Sequence, residues 1–311
     1  MGGPGSASAE AQAFIAANPP DMTSVPEAAT IDTFRKDISA EFRPRAERML
    51  ERFSVQHRNV VIADVPCIEV TPTRNEPVGT VLYCYGGGFV CGSAFEDLII
   101  SVPLADFANA RIIAPEYRLA PEHPWPAAID DGFAVYRQLQ ANAEPGTLAI
   151  AGESAGGNLA LSVLLRADRE SLPLPVAAAL LSPWCDLRHG GDSLSANDSR
   201  DPTLTRAWVD AAAQFYAGDN DLANPDISPL YGAFNSAFPP VMISTGTRDL
   251  LMSQCVRLAR VLRNSGITAD LRVWDDLWHV FEFYDEIPEA EESLREIAGF
   301  LKMHICESSA A

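Results

Sequence analysis

The pentapeptide Gly152-Glu153-Ser154-Ala155-Gly156 carries the strongest chemical signal in the chain. It follows an apolar run at 148–151 and opens an apolar segment at 155–165. In the order strand, turn and helix, G-x-S-x-G is typical of a nucleophilic serine on a sharp turn, where flanking glycines leave room for a strained backbone. The helix start behind the turn supplies free N–H groups and positive potential. The pattern therefore predicts that Ser154 is a nucleophile.

A second candidate for chemistry is the glycine run Gly86-Gly87-Gly88, which follows an apolar stretch at 80–85. Consecutive glycines allow several backbone N–H groups to face one point, and this arrangement stabilises an oxyanion. A dinucleotide fingerprint does not fit, because Cys91 stands where its last glycine is needed. A phosphate-binding loop does not fit either, because Ser93 stands where its lysine is needed.

The elements that must position these residues alternate along the chain. Short, nearly continuous apolar runs predict buried parallel strands at 80–85, 111–114, 148–152, 176–182 and 241–245. Helices are predicted between them at 95–108, 126–140, 155–166 and 253–264, and an alternating run at 269–274 predicts a strand nearer the edge of the sheet. Strands that alternate with helices indicate an α/β fold with a mostly parallel central sheet flanked by helices.

The composition and net charge of the chain exclude some classes of binding partner. The chain of 311 residues has 47% hydrophobic and 21% charged residues, enough for a sizeable core, and 23 basic against 42 acidic residues give a net charge of −19. An acidic surface repels phosphate backbones and anionic lipids, so we expect neither nucleic acid nor membrane partners. The N-terminus lacks the features of a secretory signal, and the six cysteines form no CxxC pair. We therefore expect a cytoplasmic protein with reduced thiols.

Three ordered motifs carry a family resemblance. The chain reads YGGG at 85–88, YRLAPEHPWPAA at 117–128 and GESAGGNLA at 152–160. In this it resembles the hormone-sensitive-lipase-like branch (bacterial family IV) of the α/β-hydrolases, which comprises carboxylesterases and lipases with HGGG, YRLAPExPxPAA and GDSAGGNLA. The resemblance covers residues 78 to 281. It implies an α/β-hydrolase fold with a helical cap from the N-terminus (1–55) and an insertion (188–238), and a core at 56–187 and 239–311.

The resemblance also implies a triad in the order serine, aspartate, histidine. Asp249 stands at the end of the 241–245 strand, where the family has its acid, and His279 lies in a stretch similar to the family's histidine loop. The rival acids are Asp186, which precedes that strand, and Asp275 and Asp276, which crowd the next loop. Two other histidines, at 189 and 304, also follow the serine, in the insertion and in a terminal amphipathic segment.

Two residues depart from the family pattern. Glu153 replaces its commoner aspartate, and Tyr85 replaces the histidine that supports the glycine loop by hydrogen bonds. We interpret both side chains as supports for the loops around the serine, together with Gly86. The backbone N–H groups of Gly87, Gly88 and Ala155 are the expected oxyanion donors.

These residues predict a serine carboxylesterase that acts on short- to medium-chain acyl esters through an acyl-enzyme. Alternatives are a lactonase, amidase or acyltransferase with the same triad, or a non-catalytic binding protein of the same fold. We expect no cofactor and no metal ion, a small-molecule ester as substrate, and a homodimer as a possible assembly.

Overall fold

Eight strands form one sheet in the computed structural model, which describes residues 7–19 and 25–309. The strand order is β1-β2-β4-β3-β5-β6-β7-β8. The six strands β4, β3, β5, β6, β7 and β8 are parallel, whereas β2 pairs antiparallel with both β1 and β4. The strands are β1 (Val55–Ile62), β2 (Val65–Pro72), β3 (Thr80–Cys84), β4 (Arg111–Pro115), β5 (Leu148–Glu153), β6 (Ala178–Leu181), β7 (Val241–Gly246) and β8 (Ala269–Trp274). The predicted mostly parallel sheet is confirmed, and β8 lies at its edge as expected.

Nine α-helices belong to the described part of the chain. They are α1 (Ala9–Ala17), α2 (Ile31–Arg52), α3 (Leu98–Ala108), α4 (Ala127–Asn142), α5 (Ser154–Arg169), α6 (Ser193–Ala196), α7 (Arg206–Ala217), α8 (Met252–Asn264) and α9 (Pro288–Ser309). Short 3₁₀ helices span Ala28–Thr30, Pro229–Tyr231 and Phe281–Phe283. No helix among the described residues is long and apolar enough to cross a membrane. Residues 1–6, where the sequence predicts no secretory signal, lie outside the described residues.

The hairpin of β1 and β2 has no counterpart among the strands predicted from sequence. β1 is an edge strand whose residues are mostly exposed, and only residues 60–62 at its end form a short apolar run. Its partner β2 is reached through a two-residue turn in which Ala63 and Asp64 both have positive φ. This is the geometry that joins antiparallel strands most tightly, but it usually uses Asn-Gly or Asp-Gly. The sequence therefore showed neither a long apolar pattern for the first strand nor a glycine-containing turn between the two strands.

The order of the central strands places the loops that matter. The chain moves from β3 to β4 on one side and later from β5 to β6 on the other. Right-handed crossovers then put α3 and α5 on opposite faces, where α3 packs with α9 and α5 packs with α4. Ligands bind outside the carboxyl ends of parallel strands where the order reverses in this way. The glycine run follows β3, and Ser154 follows β5.

The 188–238 insertion contributes α7 to the same end of the sheet. A methyl group built on Gly88 would lie 2.5 Å from the indole ring of Trp208, so α7 packs directly on the glycine run. This helix lies over the loop that directly follows the central strand β3. From the N-terminal segment, Phe14 stacks on Trp278 with ring centroids 4.5 Å apart. The division into a cap and a core stays a prediction.

Candidate active site

The turn between β5 and α5 places Ser154 in a strained backbone conformation with φ of +51°. The two flanking glycines permit it, because a methyl group on Gly152 would lie 2.4 Å from the carbonyl oxygen of Gly156. A methyl group on Gly156 would lie 2.0 Å from the carbonyl oxygen of Cys84. Strained backbone of this kind is kept where the surroundings enforce it, commonly at functional sites. The geometry agrees with the sharp turn that the sequence predicts.

Three side chains from three loops meet in a line. Nε2 of His279 lies 2.9 Å from Oγ of Ser154, and Nδ1 of the same ring lies 3.0 Å from Oδ1 of Asp249. The serine and the histidine are each 8% exposed, and the aspartate is fully buried. A serine, a base and an orienting carboxylate at these distances can perform nucleophilic catalysis. The structure thus brings together the three residues that the sequence selected.

The surroundings of Asp249 favour its charged form. Burial alone raises the pKa of a carboxyl group, but the neighbouring His279 and the hydrogen bonds to the carboxylate lower the pKa of Asp249 below its ordinary value. Thr245 donates its hydroxyl to Oδ2 at 2.7 Å, and the backbone N–H of Leu251 donates to Oδ1 at 2.8 Å. An ionised, fixed carboxylate can hold the histidine ring in one orientation.

The rival acids have other partners. Asp186 accepts hydrogen bonds from Arg257 and Tyr231, and Asp276 accepts one from Arg248. Asp275 is exposed. His189 lies 2.9 Å from Asp210 on α7, so it does not belong to this line of residues. No group of three or more His, Cys, Asp and Glu side chains in the described ranges could hold a metal ion.

The surroundings of His279 favour its protonated form. Burial lowers the pKa of the imidazole, but the negative charges of Asp249, Asp201 and Glu282 outweigh this effect and raise the pKa of His279 above its ordinary value. The acid next to the ring makes the largest favourable contribution. The histidine is therefore a stronger base than an exposed imidazole.

This direction predicts the pH dependence of the reaction. Only neutral His279 can accept the serine proton, so the rate falls as the pH drops through the pKa of the ring. We expect the acid limb of kcat/KM to have its midpoint above about 6.5, the ordinary value for histidine. The measurement is hydrolysis of a p-nitrophenyl ester followed at the isosbestic wavelength of the product. A midpoint below that value would contradict the proposed base.

The glycine run turns sharply beside the serine. Gly87 and Gly88 have φ of +92° and +62°, a region that favours glycine. A methyl group on Gly86 would lie 2.0 Å from a carboxyl oxygen of Glu153, so the glutamate packs directly under the loop. Burial strongly raises the pKa of Glu153. Its contact with Gly86 agrees with the predicted support of the loop.

A cavity of about 170 Å³ opens over these residues. Five of the predicted residues line it: Gly86, Gly87, Glu153, Ser154 and His279. The other four, Tyr85, Gly88, Ala155 and Asp249, do not contribute to its lining. Apolar side chains from the N-terminal segment, the insertion and the histidine loop form much of the wall: Ile38, Phe42, Leu204, Trp208, Val280, Phe283 and Tyr284. The rest of the wall consists of Cys91, Gly92, Glu96, Asp97 and Thr203. A mainly apolar cavity with a few polar groups suits an ester.

Tyr85 points away from this cavity. Its hydroxyl donates to the carbonyl oxygen of Tyr117 at 3.3 Å, and the Tyr117 hydroxyl donates to the carbonyl oxygens of Tyr85 and Gly86 at 2.8 and 3.2 Å. The two rings stack with centroids 4.1 Å apart. Tyr117 is the first residue of the YRLAPE motif, so this motif and the glycine run brace each other. The geometry supports the interpretation of Tyr85 as a support rather than an oxyanion donor.

We expect Tyr85→Phe to lower kcat by several-fold at most. The substitution removes one long hydrogen bond and keeps the ring stack, and such a bond contributes about 1 kcal/mol. Steady-state kinetics on a p-nitrophenyl ester provide the measurement. Tyr117→Phe is the matched control, and it should cost more because it removes a shorter hydrogen bond that two carbonyl oxygens of the loop share. A loss of a hundredfold or more in kcat for Tyr85→Phe, with KM unchanged, would instead indicate an oxyanion donor.

Some residues of the site carried no signal in the sequence. Asp201 accepts backbone N–H groups from Leu250 and His279, and Asn197 donates to the carbonyl oxygen of Asp249. Trp208 covers the glycine run from α7. All three belong to the insertion, and no motif connects them with the triad.

Comparisons with known proteins agree with this geometry. A family model described as alpha/beta hydrolase fold matches residues 81–283. An acetyl-hydrolase from Streptomyces hygroscopicus is 32% identical over 235 residues, 75% of this chain and 78% of that protein. An esterase from Acinetobacter venetianus is 28% identical over 265 residues, 83% of this chain and 87% of that protein.

Solved structures extend the similarity to nearly the whole chain. A hormone-sensitive lipase from a metagenome library superposes with a TM-score of 0.87 at 30% identity, covering 96% of this chain and 99% of that one. An esterase from the bacterial hormone-sensitive lipase family superposes with a TM-score of 0.85 at 29% identity, covering 98% and 100%. The likeness therefore includes the segments on both sides of the family match.

Proposed function

Since the chain belongs to the hormone-sensitive-lipase-like branch of the α/β-hydrolases, we propose that it is a serine carboxylesterase that hydrolyses small acyl esters through an acyl-enzyme. The observation that carries the proposal is the line from Asp249 through His279 to Ser154, at 3.0 and 2.9 Å, on the wall of an apolar cavity. The relatives described as acetyl-hydrolase and esterase support the same chemistry.

The proposed reaction starts when Oγ of Ser154 attacks the ester carbonyl carbon. Nε2 of His279 takes the serine proton, and the carbonyl oxygen becomes an oxyanion held by backbone N–H groups of Gly87, Gly88 and Ala155. The carbon–oxygen bond to the alcohol then breaks, and His279 returns the proton to the leaving alcohol. Asp249 keeps the ring in the tautomer with a proton on Nδ1 and stabilises the imidazolium.

Water completes the cycle. His279 takes a proton from water, the resulting nucleophile attacks the acyl carbon, and the second tetrahedral intermediate collapses. The serine regains its proton from the histidine as the carboxylic acid leaves. Each half of the reaction uses the same base and the same donors, so a single site suffices.

The cavity supports short acyl chains. Its volume of about 170 Å³ is below the roughly 300–1,000 Å³ of pockets for drug-sized ligands. Apolar side chains from the N-terminal segment and α7 surround the space, which favours an uncharged acyl group over an acidic one. We propose that p-nitrophenyl butyrate is a better substrate than the palmitate.

A side-by-side panel tests the proposed function. It contains p-nitrophenyl acetate, butyrate, octanoate and palmitate, a γ-lactone and a p-nitroanilide, with alcohol as an added acceptor in a parallel series. We expect the short esters to give the highest kcat/KM. Preference for the lactone or the anilide, or transfer to the alcohol, would favour one of the alternative enzymes. Binding without turnover would favour the non-catalytic protein.

Assembly and location belong to the same proposal. We propose a homodimer, which size-exclusion chromatography with light scattering tests directly. We also propose a cytoplasmic location, which is supported by six free cysteines, five of them buried. Cell fractionation tests it, and recovery of the protein outside the cytoplasm would contradict it.

A further inference from the structure

A buried carboxylate from the insertion reaches both loops of the triad. Asp201 is fully buried, and its Oδ2 accepts the backbone N–H of Leu250 at 3.0 Å and that of His279 at 3.2 Å. Leu250 directly follows Asp249 in the chain. One oxygen atom therefore holds the backbone beside the acid and the backbone of the base at the same time.

The other oxygen of Asp201 organises the insertion itself. Oδ1 accepts the backbone N–H groups of Thr203 and Leu204 at 3.0 and 3.2 Å, and the Thr203 hydroxyl at 3.0 Å. Both residues line the cavity. The carboxylate therefore links the cavity wall to the two triad loops through its two oxygens.

A second side chain of the same segment, Asn197, holds the loop of Asp249 as a hydrogen-bond donor, whereas Asp201 acts as an acceptor. Asn197 donates its amide N–H groups to the carbonyl oxygens of Thr247 and Asp249 at 3.1 and 2.9 Å. The backbone N–H of Asp201 in turn donates to the carbonyl oxygen of Asn197. Residues 197–201 thus bind carbonyl and N–H groups on both sides of the acid.

We propose that Asp201 is a positioning residue of the triad, which fixes the distance between Asp249 and His279 by holding the backbones of both loops from the insertion. The proposal rests on the proposed function, because positioning matters only where the line of three residues performs catalysis. Hydrogen bonds to a buried charged group are among the stronger ones in proteins, and leaving their donors without a partner is costly.

The charge of Asp201 supplies a readout that a purely structural role would not move. The carboxylates with the largest effects on the buried His279 are Asp249, Asp201 and Glu282. Burial and the nearby Asp249 raise the pKa of Asp201 to about 6, and the negative charge of its carboxylate favours the protonated form of His279. Removal of this charge should lower the pKa of His279, because one of the groups that favour the imidazolium is lost.

The test is Asp201→Asn, which keeps the shape and removes the charge. Both oxygens of Asp201 accept backbone N–H groups, but an asparagine has only one acceptor oxygen. Its NH₂ group must therefore face N–H donors on the side of the lost oxygen, and those donors lose their acceptor. We expect kcat for p-nitrophenyl butyrate to fall about 10- to 100-fold, with KM within about threefold of the wild type. NMR titration of the His279 ring should have a lower midpoint than in the wild type, with the resonance assigned by its absence in His279→Ala.

Asp186→Asn is the matched control. Asp186 is also a fully buried aspartate that accepts several hydrogen bonds, including backbone N–H groups of Arg188 and Gly190, but it is not among the groups with the largest effects on the pKa of His279. We expect it to leave the His279 titration in place. Asp201→Glu keeps the charge, so its titration should lie nearer the wild type than that of Asp201→Asn.

Each outcome decides the proposal. A wild-type kcat and an unmoved His279 titration in Asp201→Asn would overturn it, and so would an equal shift in Asp186→Asn. If the asparagine variant does not fold, Asp201→Ser, which is small and uncharged, carries the same two measurements. A wild type that hydrolyses no ester would refute the proposed function alone, since the NMR titration still reports whether Asp201 acts on His279.

Discussion

Ser154→Ala should lower ester turnover by about 10⁵–10⁶. The substitution removes the only atom that can form the acyl-enzyme in the proposed mechanism, while the cavity and the glycine run remain. What is left is the contribution of binding and of the oxyanion donors, which exceeds the uncatalysed reaction by a far smaller factor. The measurement is kcat for p-nitrophenyl butyrate at saturating substrate.

His279→Ala should lower ester turnover to nearly the same residual rate as Ser154→Ala. The serine is a weak nucleophile without a base at 2.9 Å, so loss of either partner removes the advantage of both. The double variant Ser154→Ala/His279→Ala should therefore be scarcely worse than either single variant. Losses that multiply in the double variant would show that the two residues do not act as a unit.

A serine on the same helix provides the control. Ser162 lies two turns further along α5, is buried, and donates to Asn158 at 3.1 Å. Ser162→Ala should change turnover by a few-fold at most, because its hydroxyl is remote from the cavity. A fluorophosphonate should label the wild type at Ser154 and fail to label Ser154→Ala. Labelling at another serine would refute the assignment of the nucleophile.

Much of the fold could be predicted from local patterns. The strands around the site, such as Leu148–Glu153 and Val241–Gly246, are buried on both faces and so read as continuous apolar runs. The glycines of the GESAG motif are required by close approaches of backbone, for example between Gly156 and Cys84. Where a single local constraint determines a residue type, the sequence alone shows it.

The contacts between distant segments could not be predicted in this way. Asp201 reads as an ordinary aspartate before a proline, because the N–H groups that it accepts are 49 and 78 residues away in the chain. Asn197 and Trp208 also act on residues that are distant in the chain, and the exposed strand β1 has only three consecutive apolar residues, 60–62. The sequence pointed to the residues that we propose to react, but not to those that the insertion contributes around them.

Asp249→Asn should retain the fold and lower turnover by roughly 10⁴. The carboxylate stabilises the imidazolium that forms during the reaction and fixes the tautomer in which Nε2 can accept the serine proton. An asparagine carries no charge, and its NH₂ group can donate to Nδ1 and so favour the wrong tautomer. The measurement is kcat for p-nitrophenyl butyrate, with circular dichroism to verify the fold.

The same substitution at Asp276 separates the assigned acid from its neighbours. Asp276 pairs with Arg248, the residue just before Asp249, so Asp276→Asn disturbs the same loop without touching the histidine. It should lower turnover by a few-fold, and Asp275→Asn, at an exposed position, should lower it less. A larger loss in either variant than in Asp249→Asn would move the acid to the loop before the histidine. The hydroxyl of Thr245 and the N–H of Leu251 argue against this, because both donate to Asp249 and stabilise the charge that the reaction needs.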